Sequence, residues 1–264
     1  MMQCDVKCFL FLFFSFLYGE KPIVVLTTSY NNKDWARFNI ESICNQDYNN
    51  FRLIYIDDAS VDNTADIVES FALAHPKKIS FQLIRNAQRL GALENIYHAI
   101  HERCLDEEII VSLDGDDWFY DNQVLKRIDA VYSLQPVWLT HGTIIEFPHN
   151  KLGWSIPIPN DIIASHAFRS YRCPSHLRTF YAWLFKKIRL ADLQYKGQFF
   201  AMTWDQAMMF PMIEMAGARH AFIEEITYVY NIANPINDNK VDPVLQNELE
   251  QYIRALEPYE MIQQ

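Results

Sequence analysis

Positive charge is scarce in this chain: 23 lysines and arginines stand against 33 aspartates and glutamates, a formal net charge of −10 over 264 residues. No basic face is implied that could neutralise a run of nucleic-acid phosphates, so nucleic acid is not expected as a partner. Cysteine offers little more. Cys4, Cys8, Cys44, Cys104 and Cys173 are odd in number and contain no Cys-x-x-Cys pair, which excludes a legible disulfide framework or zinc site and leaves free thiols as the expectation. Long hydrophobic runs are missing as well. The apolar run Cys8 to Tyr18 follows Lys7 and is too short for an ordinary transmembrane helix. Residues 1–20 read instead as a signal peptide or short anchor, although Leu17 and Tyr18 before Gly19 fit the small-residue cleavage rule poorly. A secretory or membrane-associated location is expected if that segment is a true signal, and a cytoplasmic one otherwise. No Asn-x-Ser/Thr acceptor for glycosylation occurs.

What is present is an ordinary globular composition. Half the residues are hydrophobic and 21% are charged, proportions that argue against disorder, and a single domain is expected from residue 21 to 264. From Ile23 onward apolar runs alternate with helical patterns, the signature of βαβ units in an α/β fold: a mixed, mainly parallel sheet flanked by helices. Strands are predicted at Ile23 to Thr28, Leu53 to Asp57, Ile79 to Ile84 and Ile109 to Leu113, and helices at Trp35 to Gln46, Asp62 to His75, Gly91 to Cys104 and Gln123 to Leu134. Pro136, Pro148, Pro157, Pro159 and Pro174 then mark a stretch of loops and short strands. Helices at Leu177 to Lys187 and Asp205 to Ala216, a strand at Phe222 to Tyr230 and a helix at Val244 to Leu256 complete the prediction.

Each polar motif of the first half falls just after the C-terminal end of a predicted strand: Ser29-Tyr30-Asn31, Asp57-Asp58-Ala59-Ser60, Arg85-Asn86 and Asp114-Gly115-Asp116-Asp117. Open α/β sheets bind ligands there. Carboxylates as crowded as those of the last motif repel one another unless one takes a proton or a cation binds them. Mg²⁺ or Mn²⁺ shared between protein oxygens and a diphosphate meets that need in a chain short of positive charge. A calcium loop is excluded, because counting on from Asp114 puts Trp118, Phe119 and Leu125 where an acidic residue, a glycine and a glutamate are required. Read alone, the tetrapeptide is an Asp-Gly turn with solvated carboxylates. Its phase with the other three motifs makes it a site. Asp57 and Asp58 can accept hydrogen bonds from a base imide or a ribose hydroxyl, while Asp62 starts the next helix.

In order and spacing, Thr28-Ser29-Tyr30-Asn31, Asp57-Asp58, Arg85-Asn86 through Gly91 with Asn95, and Asp114 to Asp117 resemble the family 2 glycosyltransferases of GT-A fold. The resemblance runs from Pro22 to Phe119 and more loosely to about Tyr230. It implies a Rossmann-like GT-A domain with a nucleotide-binding half at about 21–120, an acceptor half at about 121–235 and a C-terminal helix at about 243–257. It implies that Thr28, Tyr30, Asp57, Asp58, Arg89, Asp114, Gly115, Arg178 and Trp204 bind a nucleotide-sugar, and that Asp114, Asp116 and Asp117 hold Mn²⁺ or Mg²⁺. Asp205, in Thr203-Trp204-Asp205-Gln206, matches the carboxylate that deprotonates the acceptor hydroxyl. From the residues alone, Asp205 reads equally as a helix N-cap and Arg178 as a surface arginine.

The expected reaction is inverting transfer from a nucleoside diphosphate sugar, a UDP-sugar first among the candidates, to a glycan, lipid or protein hydroxyl. A retaining double displacement would need a nucleophile on the other face of the sugar. The Gln-x-x-Arg-Trp motif of processive polysaccharide synthases is absent, which points to single addition. One departure stands out: Tyr230-Asn231-Ile232-Ala233 occupies the place where many relatives carry an arginine and a histidine after the tyrosine, with His220, Asn237 or Asp238 as candidate substitutes. Two rival classes complete the reading. A sugar-1-phosphate nucleotidyltransferase needs a glycine-rich turn after the first strand, and Thr27 to Asn31 contains no glycine. A non-catalytic nucleotide- or glycan-binding relative is the other.

Overall fold

The computed structural model describes residues 19–236 and 238–263, so the Cys8 to Tyr18 segment, with Cys4, lies outside the described residues. The first half alternates as the sequence predicts: β1 (Ile23–Ser29), α1 (Lys33–Cys44), β2 (Phe51–Asp57), α2 (Thr64–Ala74), β3 (Ser80–Arg85), α3 (Ala92–Arg103) and β4 (Ile109–Asp114). It continues through β5 (Trp118–Phe119), α4 (Val124–Leu134), β6 (Leu139–Phe147), β7 (Lys151–Leu152), α5 (Asn160–Ala164), β8 (Arg178–Tyr181), α6 (Ala182–Phe185), β9 (Gln194–Tyr195) and β10 (Gln198–Phe199). The chain then forms α7 (Trp204–Ala216), β11 (His220–Asn231), α8 (Asp238–Val241) and α9 (Pro243–Ala255).

One sheet dominates, in the order β3-β2-β1-β4-β8-β6-β11-β5, with β7 added beside β6. Strands β3, β2, β1 and β4 pair in parallel, as do β6 and β11. Between these two groups β8 runs antiparallel to both neighbours. The central strands are buried along nearly their whole length, whereas the edge strand β3 exposes Ser80, Gln82 and Arg85. A strand covered on both faces needs an unbroken apolar run, and this is why β1, β2 and β4 were readable as runs.

Successive side chains of a strand point to opposite faces, so these runs feed two cores. Val24, Leu26, Ile54, Ile56 and Ile110 pack with α3 and α7. Ile23, Val25, Leu53, Tyr55, Ile109 and Val111 pack with α1, α2 and α4. Helix α7 is apolar on every side, and every residue from Ala207 to Ala216 is buried. The exception among them in chemistry is Glu214, whose two carboxylate oxygens take Nε and Nη2 of the equally buried Arg169 at 2.6 and 2.9 Å. A further acceptor bond from Tyr259 N–H at 3.0 Å ties the C-terminal tail to α7 through the same carboxylate.

Two predictions from the sequence are corrected. Leu177 to Lys187 is not one helix: its first part is β8, and only Ala182–Phe185 is helical. A short apolar run looks alike in either state by periodicity, and the Thr179-Phe180-Tyr181 content is what favours the strand. The proline-marked stretch also contains a nine-residue strand, β6, that the hydrophobic pattern did not reveal. Cys44 and Cys104 are buried free thiols and Cys173 is a half-buried one, as expected.

Candidate active site

The parallel ladder does not stop at the strand ends. Beyond them, Asp58 N–H donates to Ser29 O at 2.8 Å, Asn86 N–H to Asp57 O at 2.9 Å and Gly115 N–H to Thr28 O at 3.0 Å. The four loops therefore leave the sheet in step and on one edge. A Cβ at Gly115 would lie 2.4 Å from Ser29 Cβ and Oγ and 2.8 Å from its Cα, so only glycine lets the acidic loop cross the end of β1. Gly115→Ala is expected to cost about 1–3 kcal/mol of stability as an overpacking change and to displace the loop. Unchanged melting together with unchanged nucleotide affinity would remove that argument.

A cleft of about 700 Å³ opens over these loops. On its wall the structure brings together Thr28, Tyr30, Arg89, Asp114, Gly115, Asp116, Asp117, Arg178, Trp204 and Asp205 from the sequence-derived set. Asp57 and Asp58 are not on that wall. Asp58 is buried and fully used within the fold, accepting from Asn86 Nδ2 and Leu90 N on one oxygen and from Gly91 N on the other, at 2.8–2.9 Å. Burial alone would raise its pKa, but these bonds outweigh it and hold it below the usual carboxylate range. Asp57 Oδ2 accepts from Ser60 N, and its buried Oδ1 has no partner. At the outer end, the Arg89 guanidinium lies 4.0 Å from the centre of the Tyr30 ring, a cation–π contact.

The acidic loop itself is asymmetric. Asp114 Oδ2 accepts from Arg178 Nη2 at 3.0 Å and bonds His176 Nε2 at 3.1 Å. Burial opposes its ionisation, but the Arg178 charge and the His176 bond prevail, and its carboxyl stays below the usual range. The His176 ring stacks on Tyr228 with centroids 4.6 Å apart. Burial, and after it the Arg178 charge, lowers its pKa, so the ring is neutral and donates from Nε2 to Asp114 while Nδ1 accepts from Ser175 Oγ. Asp117 lies deepest, its two oxygens taken by Tyr228 OH at 2.5 Å and Asn231 N at 2.6 Å. Burial and the neighbouring Asp116 and Asp114 charges push it well up.

Asp116 faces the cleft with one hydrogen bond, from Asn234 Nδ2 at 2.7 Å. Burial raises its pKa to about 6, with Asp114 adding to the rise and Asn234 opposing it. One guanidinium does not balance three carboxylates, and a divalent cation fits the remaining charge. Asp114, Asp117 and His176 each offer a ligand atom within 4.8 Å of the others, so His176 joins the candidate ligands and Asp116 stands outside that trio. His176 is not among the metal ligands expected from the sequence: the histidine that completes the trio comes from just before β8, far along the chain.

Asp116 borders the trio, and its negative charge favours a cation there, so metal affinity should fall as pH drops through about 6, by up to about tenfold per unit if one proton is displaced. Mn²⁺ titrations by calorimetry between pH 5 and 8 measure this, and Asp116→Asn should flatten the step. A step that persists in Asp116→Asn would assign the titration elsewhere.

The Tyr230-Asn231-Ile232-Ala233 departure is now intelligible. Asn231 closes on the acidic loop with its backbone N–H to Asp117 and its Nδ2 to Asp116 O at 3.2 Å, while Asn234 reaches both Asp116 and Asn32. Neutral carboxamides thus hold the loop where the family resemblance leads one to expect basic side chains. His220 bonds Gly217 O and packs near His141, off the cleft wall; Asn237 and the Asp238 side chain lie outside the described residues.

Asp205 sits in the first turn of α7, where the helix N-terminus favours an anion. It is not the N-cap. Thr203 holds that place at φ 52°, and its hydroxyl donates to Met202 O instead of capping. The Asp205 carboxylate meets Arg178 Nη1 at 3.3 Å, and the Arg178 guanidinium also lies 4.9 Å from the Trp204 ring centre. Arg178 is 1% exposed, so the surface reading of it is wrong. Its guanidinium bridges Asp114 and Asp205, and its Nε has no partner. Among the described residues lining the cleft, Asp205 is the one carboxylate outside the acidic loop.

Comparisons with known proteins bear on the family and the fold. The family model "Glycosyl transferase family 2" matches residues 24–190. The chain is 35% identical over 108 residues to the minor teichoic acid biosynthesis protein GgaA of Bacillus subtilis (strain 168), covering 40% of this chain and 24% of that one. It is 26% identical over 210 residues to a poly-beta-1,6-N-acetyl-D-glucosamine synthase of Staphylococcus epidermidis, covering 78% and 47%. The chain spans less than half the length of these curated relatives. Among solved structures it resembles S. aureus TarS 1-349 in complex with UDP-GlcNAc, with a TM-score of 0.63 at 15% identity over 88% of this chain and 65% of that one. It also resembles the mannosyltransferase PcManGT of Pyrobaculum calidifontis in complex with GDP-Man and Mn²⁺, with a TM-score of 0.57 at 20% identity over 83% and 59%. No helix among the described residues is long and apolar enough to cross a membrane.

Proposed function

The chain belongs to glycosyl transferase family 2, and on that premise we propose that it moves a sugar from a UDP-sugar to an acceptor hydroxyl with inversion at the anomeric carbon. One observation carries this reading: the Arg178 guanidinium stands between Asp114 of the acidic loop and Asp205 of α7. The carboxylate that would hold a metal for the leaving diphosphate and the one suited to a base thus share one cleft and one intervening cation. Asp205 takes the proton of the acceptor hydroxyl, whose oxygen attacks the anomeric carbon; the bond to the diphosphate breaks and its electron pair leaves with the phosphate oxygen. Among the described residues the wall carries no second isolated carboxylate to act as nucleophile, which favours a single displacement.

Thr28, Tyr30 and Arg89 form the nucleotide end, and Asp57, off the cleft wall with a buried, partnerless Oδ1, takes a base imide after a side-chain shift that brings that oxygen to the cleft. The TarS complex with UDP-GlcNAc supports uracil as that base. Asp114 and Asp116, with Asp117 and His176, hold Mn²⁺ or Mg²⁺. When bound, the metal offsets the charge of the departing diphosphate. Trp204 offers a face for the sugar or acceptor ring.

A panel of UDP-, GDP- and dTDP-sugars, assayed with Mn²⁺, Mg²⁺ or EDTA, tests the reading. Metal-dependent release of UDP from one UDP-sugar is the expected result. Nucleotide binding with no sugar release from any donor would favour a binding protein, and no nucleotide binding in the presence of metal would end the proposal.

A further inference from the structure

If Asp205 is the acceptor's base, as proposed above, the wall beyond it belongs to the acceptor. Two groups there are unmatched. Arg172 is exposed on this wall and, among the described residues, has no hydrogen-bond or ion-pair partner, in a chain of net charge −10. The other two cations of this side are engaged: Arg178 with Asp114 and Asp205, and Arg254 with Glu250 and the carbonyls of Arg169 and Tyr171. The second unmatched group is Gln206, next to Asp205, whose Oε1 is buried without a partner although the residue lines the cleft. A buried carbonyl oxygen left unpaired is costly, and an arriving O–H would satisfy it once a turn of the side chain brings Oε1 to the cleft surface.

The position of Arg172 is fixed by its surroundings. Arg254 grips the backbone on its N-terminal side through the two carbonyls named, and Arg169 is anchored in the buried pair with Glu214. Cys173, on its other side, is close enough to Asp205 that this charge is the second cause, after burial, of its raised thiol pKa. The donor diphosphate belongs with the acidic loop, whereas Arg172 follows Tyr171, whose carbonyl is held by Arg254 of α9. A guanidinium without a partner asks for a phosphate or carboxylate, and Gln206, on the wall of the same cleft, asks for a hydroxyl. A phosphate ester of a polyol or sugar carries both on neighbouring carbons and remains charged at neutral pH.

We propose that the acceptor is a hydroxyl compound bearing a phosphate group: Arg172 binds the phosphate, one hydroxyl donates to Gln206, and the reacting hydroxyl faces Asp205. The phosphate can come from a soluble ester or from a lipid headgroup, since the chemistry recognised is the same.

The test is calorimetric, on protein already saturated with UDP and Mn²⁺ so that the donor's phosphate positions are filled. sn-Glycerol 3-phosphate should bind at least about tenfold more tightly than glycerol or glycerate, the value of one charge-assisted contact. Arg172→Ala should erase that preference, Arg172→Lys should keep part of it, and Gln206→Leu should weaken both glycerol and its phosphate. Vesicles of phosphatidylglycerol, set against phosphatidylcholine, distinguish the lipid source; preference for either phosphate source that depends on Arg172 supports the proposal. Equal binding of glycerol and glycerol phosphate by the wild type overturns it, as does glycerate binding as tightly as the phosphate. So does an Arg172→Ala variant whose loss falls on UDP affinity. The prior UDP titration separates the two levels: without UDP binding the transferase reading itself fails, whereas UDP binding without phosphate preference sinks only this inference.

Discussion

Asp205→Asn is expected to lower sugar transfer by about 10²–10⁴-fold, the usual contribution of a positioned base, while UDP and Mn²⁺ bind as in the wild type. The substitution keeps size and polarity but replaces the basic carboxylate by an amide too weakly basic to take the acceptor proton. It also removes the negative charge facing Arg178 Nη1 at 3.3 Å, but Asp205 is one-third exposed and Arg178 keeps Asp114 as its partner, so the loss costs little stability. The helix needs no cap from this side chain, since Thr203 holds the N-cap position. The expected pattern is therefore a large fall in kcat, unchanged melting and unchanged nucleotide affinity. Single-turnover kinetics with saturating donor would separate this from an acceptor-binding defect. A loss of less than about tenfold would assign the base elsewhere, and a collapse of melting temperature would return Asp205 to a structural role.

The second large effect is on stability. Arg178→Ala should cost about 3–5 kcal/mol, because it strips a buried ion from its partner and leaves Asp114 uncompensated inside the fold. The pH dependence carries the diagnosis. Asp114 is held below its ordinary pKa, so the stability it contributes is present above the unfolded-state pKa and is lost as pH falls through the folded one. Without Arg178 that contribution disappears. The gap between wild type and variant, read from urea denaturation, should thus be widest near neutrality and close on acidification. A gap that stays constant with pH would mean that lost packing, including the contact with Trp204, and not charge, explains the defect.

How much of this could be read from the sequence varies by residue for physical reasons. β1, β2 and β4 announced themselves because strands buried on both faces need unbroken apolar runs. β6 did not, because its interior is partly polar: Thr140 Oγ1 and Thr179 Oγ1 pair at 2.6 Å, Tyr132 OH joins them at 3.0 Å, and His141 is 1% exposed. Hydrogen bonds between strands satisfied what hydropathy reads as surface. The acidic loop was legible as a site because four motifs shared one phase. The division of labour within it was not, since that depends on Tyr228, Asn231 and Asn234, more than a hundred residues away. Arg178 was the hardest case. An arginine is placed at the surface by default, and only the neighbouring Asp114 and Asp205 make its burial tolerable.

The antiparallel strand β8 has a consequence for how the protein can be altered. It enters the sheet between two parallel groups and spans only Arg178 to Tyr181, yet it aligns Arg178 with Ser112 of β4 and Thr179 with Thr140 of β6. Strand side chains alternate faces, so inserting or deleting one residue there would exchange Arg178 for Leu177 or Thr179 on the cleft side. Shuffling acceptor halves between relatives should therefore keep the seam clear of residues 176–181. A chimera joined within that strand can be well folded in both halves and still lack the cation that couples them.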